Sequence, residues 1–130
     1  MGVLLAVGMA NAQTTIKQVP AKPTVSVDGK VLYHDCCAAC HGVDGKGAGP
    51  AAVALKPEPG DLTQIARRNK GHFPEDRIMK IIKGEESVAA HGNKEMPMWG
   101  AIFNNMNPNP SMAQMRIHAL LQYVEDIQAK

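Results

Sequence analysis

The sequence is short of large side chains. Aromatic residues make up only 4% of its 130 residues, as two Phe, two Tyr and one Trp, whereas twelve Gly and nine Pro indicate much irregular backbone. A single domain of this length with so little aromatic bulk usually gains stability from disulfides, a metal or a buried cofactor. Three cysteines, Cys36, Cys37 and Cys40, lie too close together for a disulfide to close a useful loop. A buried ligand is therefore expected.

Charge and long apolar runs are also scarce. A net charge of +2 with scattered basic residues does not make a nucleic-acid-binding face. The apolar run at residues 3–7 is too short to span a bilayer, and Ala10-Asn11-Ala12 after it is typical of a signal-peptide cleavage site, although no basic residue precedes the run. We predict a signal peptide at 1–12, a polar linker at 13–25 and one domain at 26–130. The mature protein is then exported to the periplasm, with no membrane span.

Helical spacing and the positions of Gly and Pro predict an all-α fold. Helical segments are expected at about 26–37, 61–68, 74–84 and 111–127, and Ser111 with Gln114 forms an S-x-x-Q capping box for the last of them. Residues 42–61 and 85–110 are rich in Gly or Pro and are predicted to be long loops. Strand-like alternation is absent. We expect three to five helices wrapped, with these loops, around the ligand.

One motif identifies that ligand. Cys37-Ala38-Ala39-Cys40-His41 is a C-x-x-C-H sequence, the attachment signature of c-type haem. Two thiols three residues apart on a helical turn can add to the two vinyl groups at one porphyrin edge, and the next residue can present its imidazole to the iron. We predict one covalent haem c, with His41 as an axial ligand. The haem would supply the apolar bulk that the sequence lacks.

Other uses of these cysteines fit less well. A thioredoxin-like C-x-x-C needs a β-α-β setting, and no strand is predicted here. A zinc site needs a second pair of ligands, whereas His72 and His91 are not suitably paired. Cys36 is expected to be a partly buried small hydrophobe without a role in attachment.

The second axial position of the iron has several candidates. Met96-Pro97-Met98 stands out because it lies in a predicted loop, where a methionine is not helix-core filler and Pro97 would hold a neighbouring sulfur in place. His91 would give a bis-histidine site, and an open position is a further alternative.

The chain resembles the class I cytochromes c over about residues 28–127. That family has a Gly and an aromatic residue eight and four residues before the first haem Cys, matched by Gly29 and Tyr33. It also has a Leu and an aromatic residue three apart on the last helix, matched by Leu120 and Tyr123. The resemblance implies the cytochrome c fold, in which the terminal helices cross closely at the Gly.

The resemblance also implies roles for individual residues. The family's axial Met usually precedes a Pro, which favours Met96 over its neighbour Met98. The family orients the haem His with a Pro carbonyl, and Pro50 is the residue in a similar turn. Trp99 is expected near a haem propionate, with an ordinary core Trp as the alternative.

A closed His/Met site implies a single-electron carrier rather than an enzyme. The expected carrier is a monomer that docks its redox partner proteins transiently at the haem edge, with Lys46 and Lys94 steering an acidic partner. One alternative is a haem-bearing subunit of a larger periplasmic oxidoreductase. Another is a gas- or peroxide-reactive haem protein with a labile sixth ligand.

Overall fold

The computed structural model describes residues 26–86, 99–106 and 109–130, and within them all regular structure is helical. The predicted signal peptide and linker, and with them His91, Lys94, Met96 and Met98, lie outside the described residues. The described part contains six α-helices and two short 3₁₀-helices: α1 (Gly29–Cys36), α2 (Ala38–His41), α3 (Ile65–Arg68), α4 (Glu75–Lys83), α5 (Trp99–Met106) and α6 (Pro110–Asp126), with the 3₁₀-helices at Ala52–Ala54 and Leu62–Gln64. The predicted all-α class is confirmed. In this part of the chain no helix is both long and apolar enough to cross a membrane.

The first predicted helix is two helices in the structure. Asp28 caps α1 by accepting a hydrogen bond of 3.0 Å from the Val31 N–H, as its sequence position suggested. The chain leaves the α1 helix at Cys37, and a separate turn, α2, then carries the C-x-x-C-H motif to His41. This division, together with α5, raises the number of α-helices above the three to five predicted.

The core forms where α1 crosses α6. The Gly29 backbone lies so close to α6 that a Cβ at this position would overlap the carbonyl oxygen of Ala119. Beside this contact the rings of Tyr33 and Tyr123 pack with centroids 5.0 Å apart and an interplanar angle of 44°. Leu120 is buried at the same crossing. The close approach of the terminal helices that the resemblance implied is confirmed.

Two predictions in the C-terminal part are wrong. Trp99–Met106, expected to be loop, is the helix α5, because Phe103 is fully buried in the core and Gly100 packs against the backbone of Lys83. The predicted Ser111–Gln114 capping box does not start α6. Asn109 is the N-cap instead, accepting 3.0 Å from the Ser111 N–H, and Pro110 occupies the first helical position.

The Tyr33 hydroxyl links the core to the haem-attachment motif. It donates a buried hydrogen bond of 2.8 Å to the carbonyl oxygen of Gly42, the residue after His41. Tyr33→Phe would leave this carbonyl with only the Gly45 N–H, at 3.2 Å, so we expect the free energy of unfolding to fall by about 1 kcal/mol in urea titration. Tyr123→Phe is the control, because no hydrogen bond of that hydroxyl is seen within the described residues, and should cost less than about 0.5 kcal/mol. Equal losses in the two variants would contradict this role.

The same hydroxyl predicts a pH dependence. Burial, with nearby Cys37, raises the pKa of Tyr33 above its usual value of about 10. The unfolded chain therefore ionises first, and the stabilising contribution of Tyr33 declines as pH rises past about 10. Above about pH 10, the difference in free energy of unfolding between the parent chain and Tyr33→Phe should therefore become smaller.

Candidate functional site

The two haem-motif cysteines and the histidine are positioned by a single helical turn. The N–H groups of Cys40 and His41 both donate to the Cys37 carbonyl, at 3.1 and 2.9 Å. The following loop folds back on this turn, since the N–H of Gly49 donates to the Cys40 carbonyl at 3.1 Å. A Cβ at Gly49 would overlap the carbonyl oxygen of Ala39, so only glycine allows this approach. The predicted grouping of both thiols and the imidazole on one turn is therefore present.

A cavity of about 460 Å³ lies beside this turn, within the size range of small-molecule sites. Cys37 and His41 form part of its wall. Most of the remaining wall is aliphatic and comes from the second 3₁₀-helix, α3, α4 and α6: Leu62, Ile65, Ile78, Ile81, Ile82, Leu120 and Val124. Cys40, the second haem-motif cysteine, lies on the same turn but is not part of the described wall. A thiol and an imidazole beside an apolar cavity are suitable groups for a haem attached through this turn. The residues fit the cofactor.

The His41 imidazole is buried and oriented. Its side chain is 7% exposed, and its Nδ1 atom lies 3.4 Å from the carbonyl oxygen of Gly60. This contact is a hydrogen bond when Nδ1 carries the proton, and that tautomer leaves the Nε2 lone pair to bind iron. Such a contact also fixes the ring orientation and raises the basicity of a metal-bound imidazole.

The orienting carbonyl differs from the expected one. The resemblance to the class I cytochromes c implied this role for Pro50, but the structure places the Gly60 carbonyl at His41 Nδ1. Gly60 lines the cavity, whereas Pro50 is exposed in the turn that follows Gly49. The physical reason is that the loop first folds back along α2 and reaches the imidazole only later, on its way to the second 3₁₀-helix.

The cysteines differ in their surroundings. Burial raises the pKa of the Cys37 thiol to about 12, with neighbouring Cys36 and Cys40 adding to the shift. Burial likewise raises the pKa of Cys36 to about 11. Cys36 is half-buried and packs against the core, and it is not part of the described cavity wall. Its predicted character as a small hydrophobe is confirmed.

The cavity wall also contains three polar residues that no sequence motif indicated: Arg68, Asn69 and Arg77. Arg68 donates a hydrogen bond of 2.7 Å to the carbonyl oxygen of Asp61, and Arg77 forms a salt bridge of 2.9 Å with Glu86. Guanidinium groups beside an apolar cavity suit the carboxylates of a ligand that is otherwise apolar. A signal was present, because Arg77 directly precedes the isoleucines of α4 that face the cavity.

Trp99 is the first residue of α5 and lines the cavity. Its ring also packs on Phe103, with centroids 5.7 Å apart. Trp99 therefore belongs to both the cavity wall and the core. Its expected role at a propionate stays a prediction.

Comparison with known proteins gives one match. Residues 26–127 match the family model for cytochrome c, which is well over half of the chain. No curated protein and no solved structure matched it. The matched region contains the C-x-x-C-H turn, the oriented imidazole and the apolar cavity described above. The chain belongs to the cytochrome c family and is a haem-binding electron-transfer protein.

Proposed function

We propose that this protein is a periplasmic single-electron carrier with one haem c, attached through Cys37 and Cys40 and ligated by His41 and Met96. The main support is the cavity, which has the Cys37 side chain and the buried His41 imidazole on one side and aliphatic side chains around the rest. When bound, the haem supplies an iron that changes its oxidation state by one electron. The chain supplies a fixed axial ligand and an apolar wall, so the iron can gain and lose the electron without other chemistry.

The residues that line the cavity have three different roles toward the cofactor. The Gly60 carbonyl holds the His41 imidazole in one orientation. The isoleucines of α4 and the aliphatic residues of α6 exclude water from the cofactor. Arg68 and Arg77, which line the cavity, would bind carboxylate groups of the cofactor.

The assignment of Met96 is supported by its place in the sequence. Trp99, three residues later, lines the cavity, and three residues of extended chain reach about 10 Å. Met98 satisfies the same distance limit and stays the competitor. Pro97 restricts the backbone of Met96, and a fixed thioether is a suitable sixth ligand.

A pair of variants separates the two sulfurs. Met96→Ala should lower the reduction potential and allow the ferrous protein to bind carbon monoxide rapidly, because a thioether ligand raises the potential and occupies the sixth position. Met98→Ala is the matched control and should leave both properties near those of the parent protein. Equilibrium redox titration and carbon monoxide mixing measure the two effects.

Other results would overturn parts of this proposal. The opposite pattern in the two variants would assign the sixth ligand to Met98. Rapid carbon monoxide binding by the parent protein at neutral pH would favour the gas- or peroxide-reactive alternative over a carrier.

Expression of the chain with its own leader in cells that attach c-type haem tests two properties. One is the location of the carrier, and the other is whether it exists as a free protein or as a subunit of a larger enzyme. We expect the haem-loaded protein in the periplasmic fraction, with an intact mass that places its first residue near Gln13. It should elute as a monomer. Retention in the cytoplasm would contradict the proposed location, and stable co-elution with a larger oxidoreductase would favour the subunit alternative.

Transient docking predicts a salt dependence. Lys46 is exposed on the loop after His41, and Lys94 follows α4 in the sequence. Electron transfer to an acidic redox partner should slow as ionic strength rises, since surface charges are screened over about 10 Å at 0.1 M salt.

A further inference from the structure

Gln128, just beyond the end of α6, makes an unusual set of hydrogen bonds. Its Oε1 atom accepts a hydrogen bond of 2.9 Å from the N–H of Ala66. Its Nε2 atom donates to the carbonyl oxygens of Leu62 and Val124, both at 2.7 Å. The two carbonyls can only accept and the N–H can only donate, so these partners fix the orientation of the amide. One side chain therefore links the second 3₁₀-helix, α3 and α6.

The bond to Ala66 supplies something that α3 lacks locally. The first N–H groups of a helix have no partner within it, and an N-cap side chain usually provides one. Gln64, at the N-cap position of α3, makes no such bond. Gln128 provides the acceptor from a position 62 residues later in the chain. The start of α3 thus depends on the C-terminal segment.

The linked backbone belongs to the wall of the haem cavity. Leu62 and Val124, whose carbonyls receive the Gln128 amide, both contribute side chains to the cavity wall. A neighbouring backbone bond of 2.8 Å, from the N–H of Ala129 to the Thr63 carbonyl, supports the same junction. Gln128 therefore joins the α6 side of the cavity to the side formed by the second 3₁₀-helix.

Three consecutive carbonyls extend this link to the axial ligand. The Gly60 carbonyl contacts His41 Nδ1 at 3.4 Å, the Asp61 carbonyl accepts from Arg68 at 2.7 Å, and the Leu62 carbonyl accepts from Gln128. The Asp61 side chain restrains segment 60–62 further by accepting a hydrogen bond of 2.8 Å from the Thr63 N–H. Leu62 is held by Gln128 at its carbonyl and by a hydrogen bond of 2.7 Å from its N–H to the Gly45 carbonyl, and both limit how far Gly60 can move from the imidazole.

We propose that Gln128 is a positioning residue for the axial ligand His41, acting through the segment 60–62. This inference rests on the proposed haem site. Gln128 touches neither the imidazole nor the iron. It holds in place the carbonyl that orients the imidazole, and it connects the C-terminus of the chain to the haem environment.

Proton exchange in the haem-loaded ferrous protein, measured by NMR, tests this role. In Gln128→Met, exchange of the Ala66 amide proton and of the His41 Nδ1 proton should each accelerate about tenfold, a factor in keeping with the loss of one or two ordinary hydrogen bonds. Gln122→Met is the matched control, because Gln122 is an exposed glutamine of α6, and should change neither rate. The amide protons of Leu32 and Leu120 in the core report any general loosening and should stay near their parent rates.

Gln128→Glu tests the two donor bonds of the amide. A carboxylate cannot donate to the Leu62 and Val124 carbonyls, and its second oxygen would repel both of them. The His41 proton should therefore exchange faster in Gln128→Glu than in Gln128→Met, while the amide protons of Leu32 and Leu120 stay near their parent rates.

Two negative results have different meanings. If the parent protein carries no covalent haem by intact mass, the proposed function and this inference fall together. If haem is attached but the His41 proton exchanges equally fast in Gln128→Met and Gln122→Met, only the positioning role of Gln128 is overturned.

Discussion

Replacing both Cys37 and Cys40 with alanine is expected to abolish covalent haem attachment and to leave most of the chain unfolded. The cavity of about 460 Å³ explains the second effect. Without the cofactor, the aliphatic side chains that line this cavity would face water instead of an apolar partner. A small domain is stable by only about 5–15 kcal/mol, so the loss of this buried surface is a large fraction of the total. We therefore expect the haem to be needed for the fold as well as for the function.

Intact mass and circular dichroism measure these two effects separately. The parent protein should carry the mass of one haem and strong helical ellipticity, and the double variant should lose both. Cys36→Ala is the control: it changes the adjacent thiol, which lies outside the C-x-x-C-H motif, and should keep the haem and nearly all the ellipticity. Haem attached in the double variant, through Cys36, would contradict the assignment of the attachment sites.

Gly29→Ala should destabilise the haem-loaded protein by about 2–3 kcal/mol. The new Cβ would overlap the Ala119 carbonyl and lie 3.0 Å from the Cβ of Tyr123, so α1 and α6 would have to separate. Overpacking of this kind costs about 1–3 kcal/mol and occasionally more, because backbone atoms cannot turn aside as side chains do. Alanine is a better helix former than glycine by about 1 kcal/mol in a helix interior, but Gly29 is the first residue of α1, so this gain offsets little of the loss. Gly29→Val should cost more.

Urea unfolding of the haem-loaded protein measures the change. Lys30→Ala is a suitable control, because Lys30 is the next residue of α1 and is exposed, so a change within about 0.5 kcal/mol is expected. A Gly29→Ala variant as stable as the parent protein would show that the two helices are not in direct contact.

The features that the sequence predicted well depend on fixed local spacing. The C-x-x-C-H turn needs only that Cys37, Cys40 and His41 follow one another on a helix. The close crossing of α1 and α6 followed from Gly29 and Tyr33, whose distance from the haem cysteines is typical of the family. Each of these patterns can be recognised without knowing the rest of the fold.

The features that were missed depend on distant partners. α5 has weak signals of its own and is helical because Phe103 and Gly100 pack against other elements. The Gly60 carbonyl contacts His41 only after the intervening loop has folded back, whereas the resemblance implied the nearer Pro50. Arg68 resembles any surface arginine until α3 and α4 border the same cavity.

The packing of the first helix on the last has a consequence for biosynthesis. A protein chain is synthesised from its N-terminus, so α1 is made about eighty residues before α6. Until α6 is present, neither helix can bury its apolar face against the other. One side of the cavity is missing for the same period, because Leu120 and Val124 belong to α6. We therefore expect the C-x-x-C-H turn to stay accessible for haem attachment until α6 has packed against α1. For a chain that is exported as proposed, that packing would follow export.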